Sequence, residues 1–104
     1  MHPLILDRSG PIAALCRRYH VQRLEVFGSL LRDDFDPAQS DVDLTVEFAP
    51  EPIVGAFDRY FGLKAALEDL FQRPVDLVEL GAMENTRLKR LIERSRVPIY
   101  ATPP

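Results

Sequence analysis

The chain is poor in the residues that build disulfide frameworks and zinc sites. Its 104 residues include one cysteine, two histidines and no tryptophan. A lone cysteine, Cys16, rules out an internal disulfide framework and agrees with a reducing compartment, so we expect a cytoplasmic protein. His2 and His20 lie far apart along the chain, without the spacing of metal ligands. A zinc site built from histidine and cysteine is therefore not expected.

Long apolar runs and an excess of positive charge are also missing. No run is long enough to span a membrane, and no signal peptide is visible. The formal net charge of −3 argues against a broad nucleic-acid surface, so we expect no direct DNA binding. One basic cluster stands out near the carboxyl end: Arg87, Lys89, Arg90, Arg94 and Arg96. It is typical of a solvated helix face, and contact with nucleotide phosphates or an acidic partner stays open as the alternative.

The composition is that of a soluble globular protein. Hydrophobic residues make up 46% of the chain and charged residues 28%, which are ordinary proportions for a folded domain. A chain of this length predicts a single domain over residues 1–104 with a modest core. No repeat or low-complexity segment interrupts it.

Two aspartates one residue apart open a predicted strand over residues 41–48. Apolar and polar residues alternate there, which is the pattern of a half-buried strand. Asp41 and Asp43 therefore point to the same side, roughly 6.5–7 Å apart at the backbone. Carboxylates at this spacing can converge on divalent metals about 3.5–4 Å apart. Oxygen ligands of this kind suit Mg²⁺ that shares its site with substrate phosphates.

A calcium loop is the competing explanation of the same aspartates. Asp41, Asp43 and Thr45 imitate its first three ligand positions. That loop needs glycine at its sixth position and glutamate at its twelfth, where this chain has Val46 and Pro52. The sequence therefore excludes it.

A Gly-Ser turn precedes the aspartate pair. Residues 23–27 read as a short strand, and Gly28 ends it with a residue that permits a tight turn and close backbone approach to a ligand. Ser29 opens a predicted short helix whose N-terminal amides can bind phosphate. Arg32 lies one turn further on the same face, where its guanidinium could meet a phosphate.

Together these features resemble the polymerase-beta-type nucleotidyltransferase superfamily and, within it, the minimal nucleotidyltransferases (MNT). The family pattern is Gly-Ser, ten residues and then Asp-x-Asp. Here eleven residues separate Ser29 from Asp41, so the connecting loop is one residue longer. Leu31 and Asp33 replace the small residues that often flank the arginine. The resemblance runs from the first helix to about Tyr100.

The resemblance implies a third carboxylate on a later strand. Residues 74–80 form a short β-prone run with one acid in the middle, Asp76, which alternation places on one face with Val78 and Leu80. The family role of Asp76 would be to help hold a catalytic metal and to accept the proton of the attacking hydroxyl. The implied ligands of two Mg²⁺ ions are then Asp41, Asp43 and Asp76. ATP would be held by Gly28, Ser29, Arg32 and Ser40. Glu47 and Glu79 are expected to be solvated.

The remaining periodicity predicts an α+β fold, a small mixed β-sheet packed with helices. One helix is expected from Ser9 to about Tyr19, with Cys16 in its apolar core stripe. A second runs from about 54 to 72 and a third from about 83 to 94. The second helix carries the predicted core residues Phe57, Tyr60, Phe61, Leu63, Leu67, Leu70 and Phe71. Residues 97–100 are expected to form a short terminal strand or an extended tail.

The resemblance also implies a function. Members of the MNT family act as antitoxins of all-helical HEPN-type RNase toxins, and adenylyl transfer from ATP onto a toxin tyrosine is one route to neutralisation. The expected function is thus a Mg²⁺-dependent adenylyltransferase and antitoxin. Two alternatives stay open: a binding antitoxin that masks its partner with little turnover, and, at a lower rank, adenylylation of a small molecule such as an aminoglycoside.

Overall fold

The computed structural model describes residues 2–31, 40–50, 55–84 and 86–102. Along the described chain, two helices are followed by two strands, and helix and strand then alternate to the end. The helices are α1 Pro3–Leu6, α2 Ser9–Arg18, α3 Ala56–Phe71 and α4 Arg87–Ser95. The strands are β1 Val21–Phe27, β2 Val42–Phe48, β3 Val75–Val78 and β4 Val97–Ala101. Two 3₁₀ turns, Gly28–Leu31 and Leu80–Ala82, follow β1 and β3.

The four strands form one mixed sheet in the order β3-β2-β1-β4. The central strand β1 pairs antiparallel with β2 and with β4, while β2 pairs parallel with β3. A parallel pair needs a crossover, and α3 supplies it between β2 and β3. This mixed α+β architecture confirms the predicted fold class.

One face of the sheet holds the main core. Alternation along β1 and β2 directs Leu24, Val26, Leu44 and Val46 to this side, and each is at most 4% exposed. Helices α2 and α3 cover it with their apolar stripes, led by Ile12, Cys16, Leu63, Leu67 and Phe71. The prediction that Cys16 belongs to the core is confirmed.

The opposite face of the sheet carries the polar residues of the same strands. Register places Glu25 opposite Thr45 and Phe27 opposite Asp43 on this side. Helix α4 lies across it, and its Ile92 is 4% exposed although it is not part of the main core cluster. The sheet is therefore covered on both faces by different helices, and the aspartate-bearing face is the one under α4.

Two predicted element boundaries are wrong for local reasons, and one short helix was not predicted. Helix α4 begins at Arg87 and not near residue 83, because the Thr86 side chain accepts a hydrogen bond from the Lys89 amide at 3.2 Å and caps the helix there. Strand β3 ends at Val78, so the buried Leu80 lies in a 3₁₀ turn and not on the strand face with Asp76. Helix α1 was not predicted; its N-cap is the His2 side chain, which accepts from the Leu4 amide at 3.0 Å.

The predicted core stripe of α3 is wrong at two aromatic positions. Phe57 is 72% exposed and Phe61 is 48% exposed, whereas Leu63, Leu67 and Phe71 are buried as predicted. At 3.6 residues per turn, Phe57 and Phe61 lie on a flank of the helix and not on its buried stripe. Their rings instead contact each other, with centroids 4.5 Å apart. The predicted start of this helix, near residue 54, lies outside the described residues.

Candidate active site

The turn after β1 is built around Gly28. The sequence predicted a strand followed by a sharp turn, and Gly28 opens a 3₁₀ turn with φ of 73°. A positive φ of this kind is readily adopted by glycine and costs strain in residues with a side chain. The turn places its backbone at the end of the strand that pairs with the aspartate-bearing β2.

Gly28 also lies directly against the Asp43 carboxylate. A Cβ added at Gly28 would overlap Asp43 Oδ2 and would lie 3.0 Å from Asp43 Cγ. Register explains the approach, since Phe27 pairs with Asp43 across β1 and β2. The absence of a side chain at Gly28 therefore makes the room that the Asp43 carboxylate occupies. Conformation and space both favour glycine at this one position.

Asp43 has a second acidic neighbour on the other side. In the parallel pairing of β2 with β3, Asp43 is the register partner of Asp76. Neighbouring strands lie about 4.8 Å apart, and paired residues project to the same face. The half-buried Asp43 and the exposed Asp76 are thus brought together on the α4 side of the sheet. They are 33 positions apart in the sequence, so only the sheet register joins them.

Asp41 lies just outside the strand on which the sequence placed it. Strand β2 begins at Val42, so Asp41 is an exposed residue just before the strand. In the described part of the chain, no group of three or more His, Cys, Asp or Glu side chains has an arrangement that could hold a metal ion. The structure brings together the pair Asp43 and Asp76, and Asp41 stays at the entrance of β2.

The predicted nucleotide contacts have mixed positions. Gly28 and the backbone of Ser29 lie in the 3₁₀ turn. The Ser29 side chain lies outside the described part of the structure, so the predicted phosphate contact of its hydroxyl stays a prediction. Arg32 also lies outside the described residues. Ser40 is half-buried two positions before β2.

An open cavity of about 280 Å³ lies between this turn and α4. Its sheet side is formed by Phe27, Gly28 and Asp43. Its helix side is formed by Leu88, Leu91, Ile92 and Ser95. The Asp43 carboxylate therefore faces a space walled by backbone, one ring and aliphatic side chains. A phosphorylated ligand held at the turn would lie beside the carboxylates on the sheet side of this cavity.

A partly buried ion pair between β1 and the end of α4 was not predicted. Glu25 is 4% exposed and accepts a hydrogen bond from Arg96 Nη1 at 2.9 Å. It also accepts one from Thr45 Oγ1 at 3.4 Å. Arg96 had been grouped with the solvated basic cluster, but here it ties the end of α4 to the strand that leads into Gly28. Little in the sequence indicated this ion pair, because Glu25 alternates with apolar residues as a solvent-exposed acid on a strand would.

Tyr60 connects α3 to the edge strand that carries Asp76. Its hydroxyl donates a hydrogen bond to the Leu77 carbonyl. Burial raises the pKa of Tyr60, and the negative charges of Asp76 and then Glu79 raise it further. The phenol is therefore held in its neutral, donating form, which is the form that the Leu77 contact requires. This contact fixes the outer edge of β3 next to Asp76.

Residues 12–99 match the family model of the nucleotidyltransferase domain. The chain belongs to this family. The match includes the turn at Gly28 and both paired carboxylates, so the site described above lies inside the family domain. The protein is accordingly a nucleotidyltransferase of the minimal type. In the described part of the chain, no helix has the length and apolar character needed to cross a membrane.

Individual relatives agree with the family assignment. The chain is 35% identical over 83 residues to a candidate protein adenylyltransferase of Methanocaldococcus jannaschii, with 80% of this chain and 81% of the relative aligned. It is also similar to a solved candidate minimal nucleotidyltransferase, with 31% identity, a TM-score of 0.74, and 94% of this chain and 96% of that chain covered.

A more distant structural relative shares the fold. It is a chain from the complex of a tri-AMPylated Shewanella oneidensis HEPN toxin with its MNT antitoxin. The identity is 21% and the TM-score 0.66, with 94% of this chain and 73% of that chain covered. Identity at this level supports the architecture alone.

Proposed function

We propose that this nucleotidyltransferase is a Mg²⁺-dependent adenylyltransferase that transfers AMP from ATP to a hydroxyl group, most simply a tyrosine, of a HEPN-type toxin, and thereby acts as its antitoxin. The observation that carries the proposal is the adjacency of Gly28, Asp43 and Asp76 at one end of the sheet. It combines a backbone turn suited to phosphate with carboxylates suited to divalent metal.

The carboxylate pair fits a magnesium site. Mg²⁺ usually binds through one or two carboxylates, substrate phosphates and water, and rarely through a cage of protein ligands alone. Asp43 and Asp76 supply such a pair, and Asp41 at the start of β2 is available for a second ion once nucleotide is present. A full three-carboxylate cluster is therefore not required before ATP binds. Bound Mg²⁺ would offset the negative charge that develops on the phosphates during transfer.

The reaction requires that the acceptor hydroxyl be positioned at the α-phosphorus of ATP and that its proton be removed. The hydroxyl oxygen of the acceptor attacks the α-phosphorus of ATP and forms a new phosphorus–oxygen bond. The bond from the α-phosphorus to the bridging oxygen breaks, and pyrophosphate leaves. Asp76 is more exposed than Asp43, so it is the better placed to take the hydroxyl proton and pass it to water. The backbone of the Gly28–Leu31 turn, the Ser29 hydroxyl, Arg32 and Ser40 would hold the phosphates and keep this geometry.

The partner is inferred from the relatives. One curated relative is named for protein adenylyl transfer, and a structural relative comes from a complex with an AMPylated HEPN toxin. A protein acceptor also suits a site that opens directly onto the surface beside α4. Adenylylation of a small molecule is less favoured, because the described residues offer no enclosed acceptor pocket at Asp43.

A masking antitoxin is the second candidate. The observation that favours it is that the described acidic residues do not form a three-member metal cluster. A chain of this kind would bind the toxin and neutralise it without turnover. Neutralisation by masking would depend on the outer surface that contacts the toxin and not on the carboxylates.

The deciding experiment combines the purified chain with ATP, Mg²⁺ and its HEPN-type partner. Intact-protein mass spectrometry should show the partner gaining mass in units of AMP. Asp76→Asn should abolish the gain while the complex still forms. Glu47→Gln changes an exposed acid on the neighbouring strand β2; it is the matched control and should leave transfer intact. Rescue from toxicity by Asp76→Asn with no added mass on any partner would favour masking.

A further inference from the structure

Two leucines on α4 are exposed at the mouth of the candidate active site. Leu88 is 58% exposed and Leu91 is 49% exposed. They are three residues apart on one helix and therefore share a face. Both line the cavity whose opposite wall is Gly28 and Asp43. We refer to Leu88 and Leu91 as the leucine pair.

Packing against the described residues does not account for the leucine pair. Helix α4 is held to the sheet by the buried Ile92, and its end is tied down by the Arg96–Glu25 ion pair at 2.9 Å. Leu88 and Leu91 each keep about half of their surface exposed to solvent. Single exposed apolar residues are common, but two that share a helix face beside a reactive group point to contact with something else.

The surroundings of the leucine pair are basic. Helix α4 carries Arg87, Lys89, Arg90 and Arg94 against the single acid Glu93, within a chain of formal net charge −3. The three arginines are exposed. Arginines beside an apolar patch are typical of a protein-binding surface, where the charged residues steer and orient an acidic partner.

We propose that α4 is the docking surface for the acceptor protein, which places an apolar side chain on the leucine pair and acidic residues against Arg87, Arg90 and Arg94. This inference rests on the proposed function and names where its protein substrate binds. The acceptor hydroxyl must reach the α-phosphorus beside Asp43. A partner that binds Leu88 and Leu91 lies on the opposite wall of the cavity from the Asp43 carboxylate.

Two other occupants fit the surface less well. A nucleotide base would be better served by an enclosed slot, whereas the leucine pair borders an open cavity and remains half in solvent. A nucleic-acid backbone would pair with the arginines but would gain nothing from leucines between them, and the nearby Asp43 and Asp76 would repel it. A protein with mixed apolar and acidic character satisfies both features.

The test replaces the leucine pair and measures partner and nucleotide separately. Leu88→Ser with Leu91→Ser removes apolar surface without changing charge. Leu6→Ser is the matched control, because Leu6 is 57% exposed on α1. Affinity for the HEPN-type partner is measured by calorimetry in the Asp76→Asn background, so that turnover does not intervene. Affinity for Mg-ATP is measured in the otherwise unchanged chain, and circular dichroism melting checks folding.

We expect the double variant to lose at least tenfold in partner affinity and to keep its Mg-ATP affinity within twofold, while Leu6→Ser changes neither. Weaker Mg-ATP binding with an unchanged partner affinity would overturn the inference and assign the leucines to the nucleotide. No change in either affinity would also overturn it. If the unmutated chain binds its partner through the leucine pair but transfers no AMP, the docking surface stands and the proposed chemistry fails.

Discussion

Asp43 and Asp76 are register partners across the parallel pairing of β2 with β3. Their side chains project from neighbouring strands to the face of the sheet under α4, and Gly28 closes the other side of Asp43. Carboxylate oxygens brought together in this way suit a divalent metal that also binds substrate phosphates.

The first prediction concerns this carboxylate pair. Asp43→Asn removes one charge from the site while conserving shape, so we expect Mg-ATP affinity to fall at least tenfold and AMP transfer to be lost. Asp41→Asn combined with Asp43→Asn should abolish Mg-ATP binding without unfolding the chain. Calorimetric titration of Mg-ATP measures this, with Glu47→Gln as the control that leaves affinity unchanged. Unaltered affinity in the double variant would show that nucleotide binds elsewhere.

The second prediction concerns the glycine of the turn. Gly28→Ala places a methyl group where Asp43 Oδ2 lies and strains a residue with φ of 73°. We expect roughly 1–3 kcal/mol of destabilisation and loss of transfer, because the Asp43 carboxylate must move. Urea unfolding and the mass-addition assay measure the two effects.

Gly10→Ala is the matched control for this glycine. Gly10 lies in the first turn of α2, and nothing is within 4 Å of an added Cβ. Because it precedes Pro11, the gain of a helix-interior alanine is not expected, and the change should shift stability by less than about 1 kcal/mol. Equal behaviour of the two variants would show that the turn tolerates a side chain.

The third prediction concerns the ion pair between β1 and the end of α4. Arg96→Met keeps the length of the side chain but leaves the 4% exposed Glu25 without its cation. We expect a loss of about 2–3 kcal/mol in the free energy of unfolding. Arg94→Met, at an exposed position of the same helix, should cost less than about 0.5 kcal/mol. If urea unfolding gives the same small cost for both, Arg96 belongs to the solvated cluster after all.

The fourth prediction concerns Cys16. Burial raises the pKa of its thiol from 9.0 to about 12, an effect that the nearby Arg17 charge only partly opposes. The thiol therefore stays protonated and shielded at pH 8, and iodoacetamide should label it slowly in the folded chain and fully in denaturant. Because the folded pKa is the higher one, the unfolded state ionises first as pH rises above 9. Stability from this group should then fall between pH 9 and about 12.

The serine variant Cys16→Ser separates this titration from other alkaline effects. Its stability should decline less than that of the unmutated chain over the same pH interval, since a hydroxyl does not ionise there. Thermal melts at matched pH values compare the two chains. Rapid labelling of folded Cys16 at pH 8 would contradict its placement at 0% exposure.

Local patterns predicted much of the fold. Alternation along residues 41–48 correctly assigned the two faces of β2, and helical spacing correctly assigned Cys16, Leu63, Leu67 and Phe71 to the core. The Gly-Ser turn was also correctly placed after β1. These features depend on backbone preference and on periodic burial within one element, which neighbouring residues determine. Exposure of Phe57 and Phe61 was missed because periodicity gives the spacing of a stripe and not its width.

The sequence by itself determined the residue types of the site, namely a glycine turn, an aspartate pair at one strand and a single aspartate on another, together with the family they resemble. Only the tertiary structure decided which acids meet. Asp43 and Asp76 are joined by parallel register, Gly28 approaches Asp43 through the antiparallel pairing of β1 and β2, and Arg96 reaches Glu25 across 71 positions. Contacts at such separations depend on how whole elements pack, because the loss of chain entropy is repaid by burial of the complete sheet and its helices.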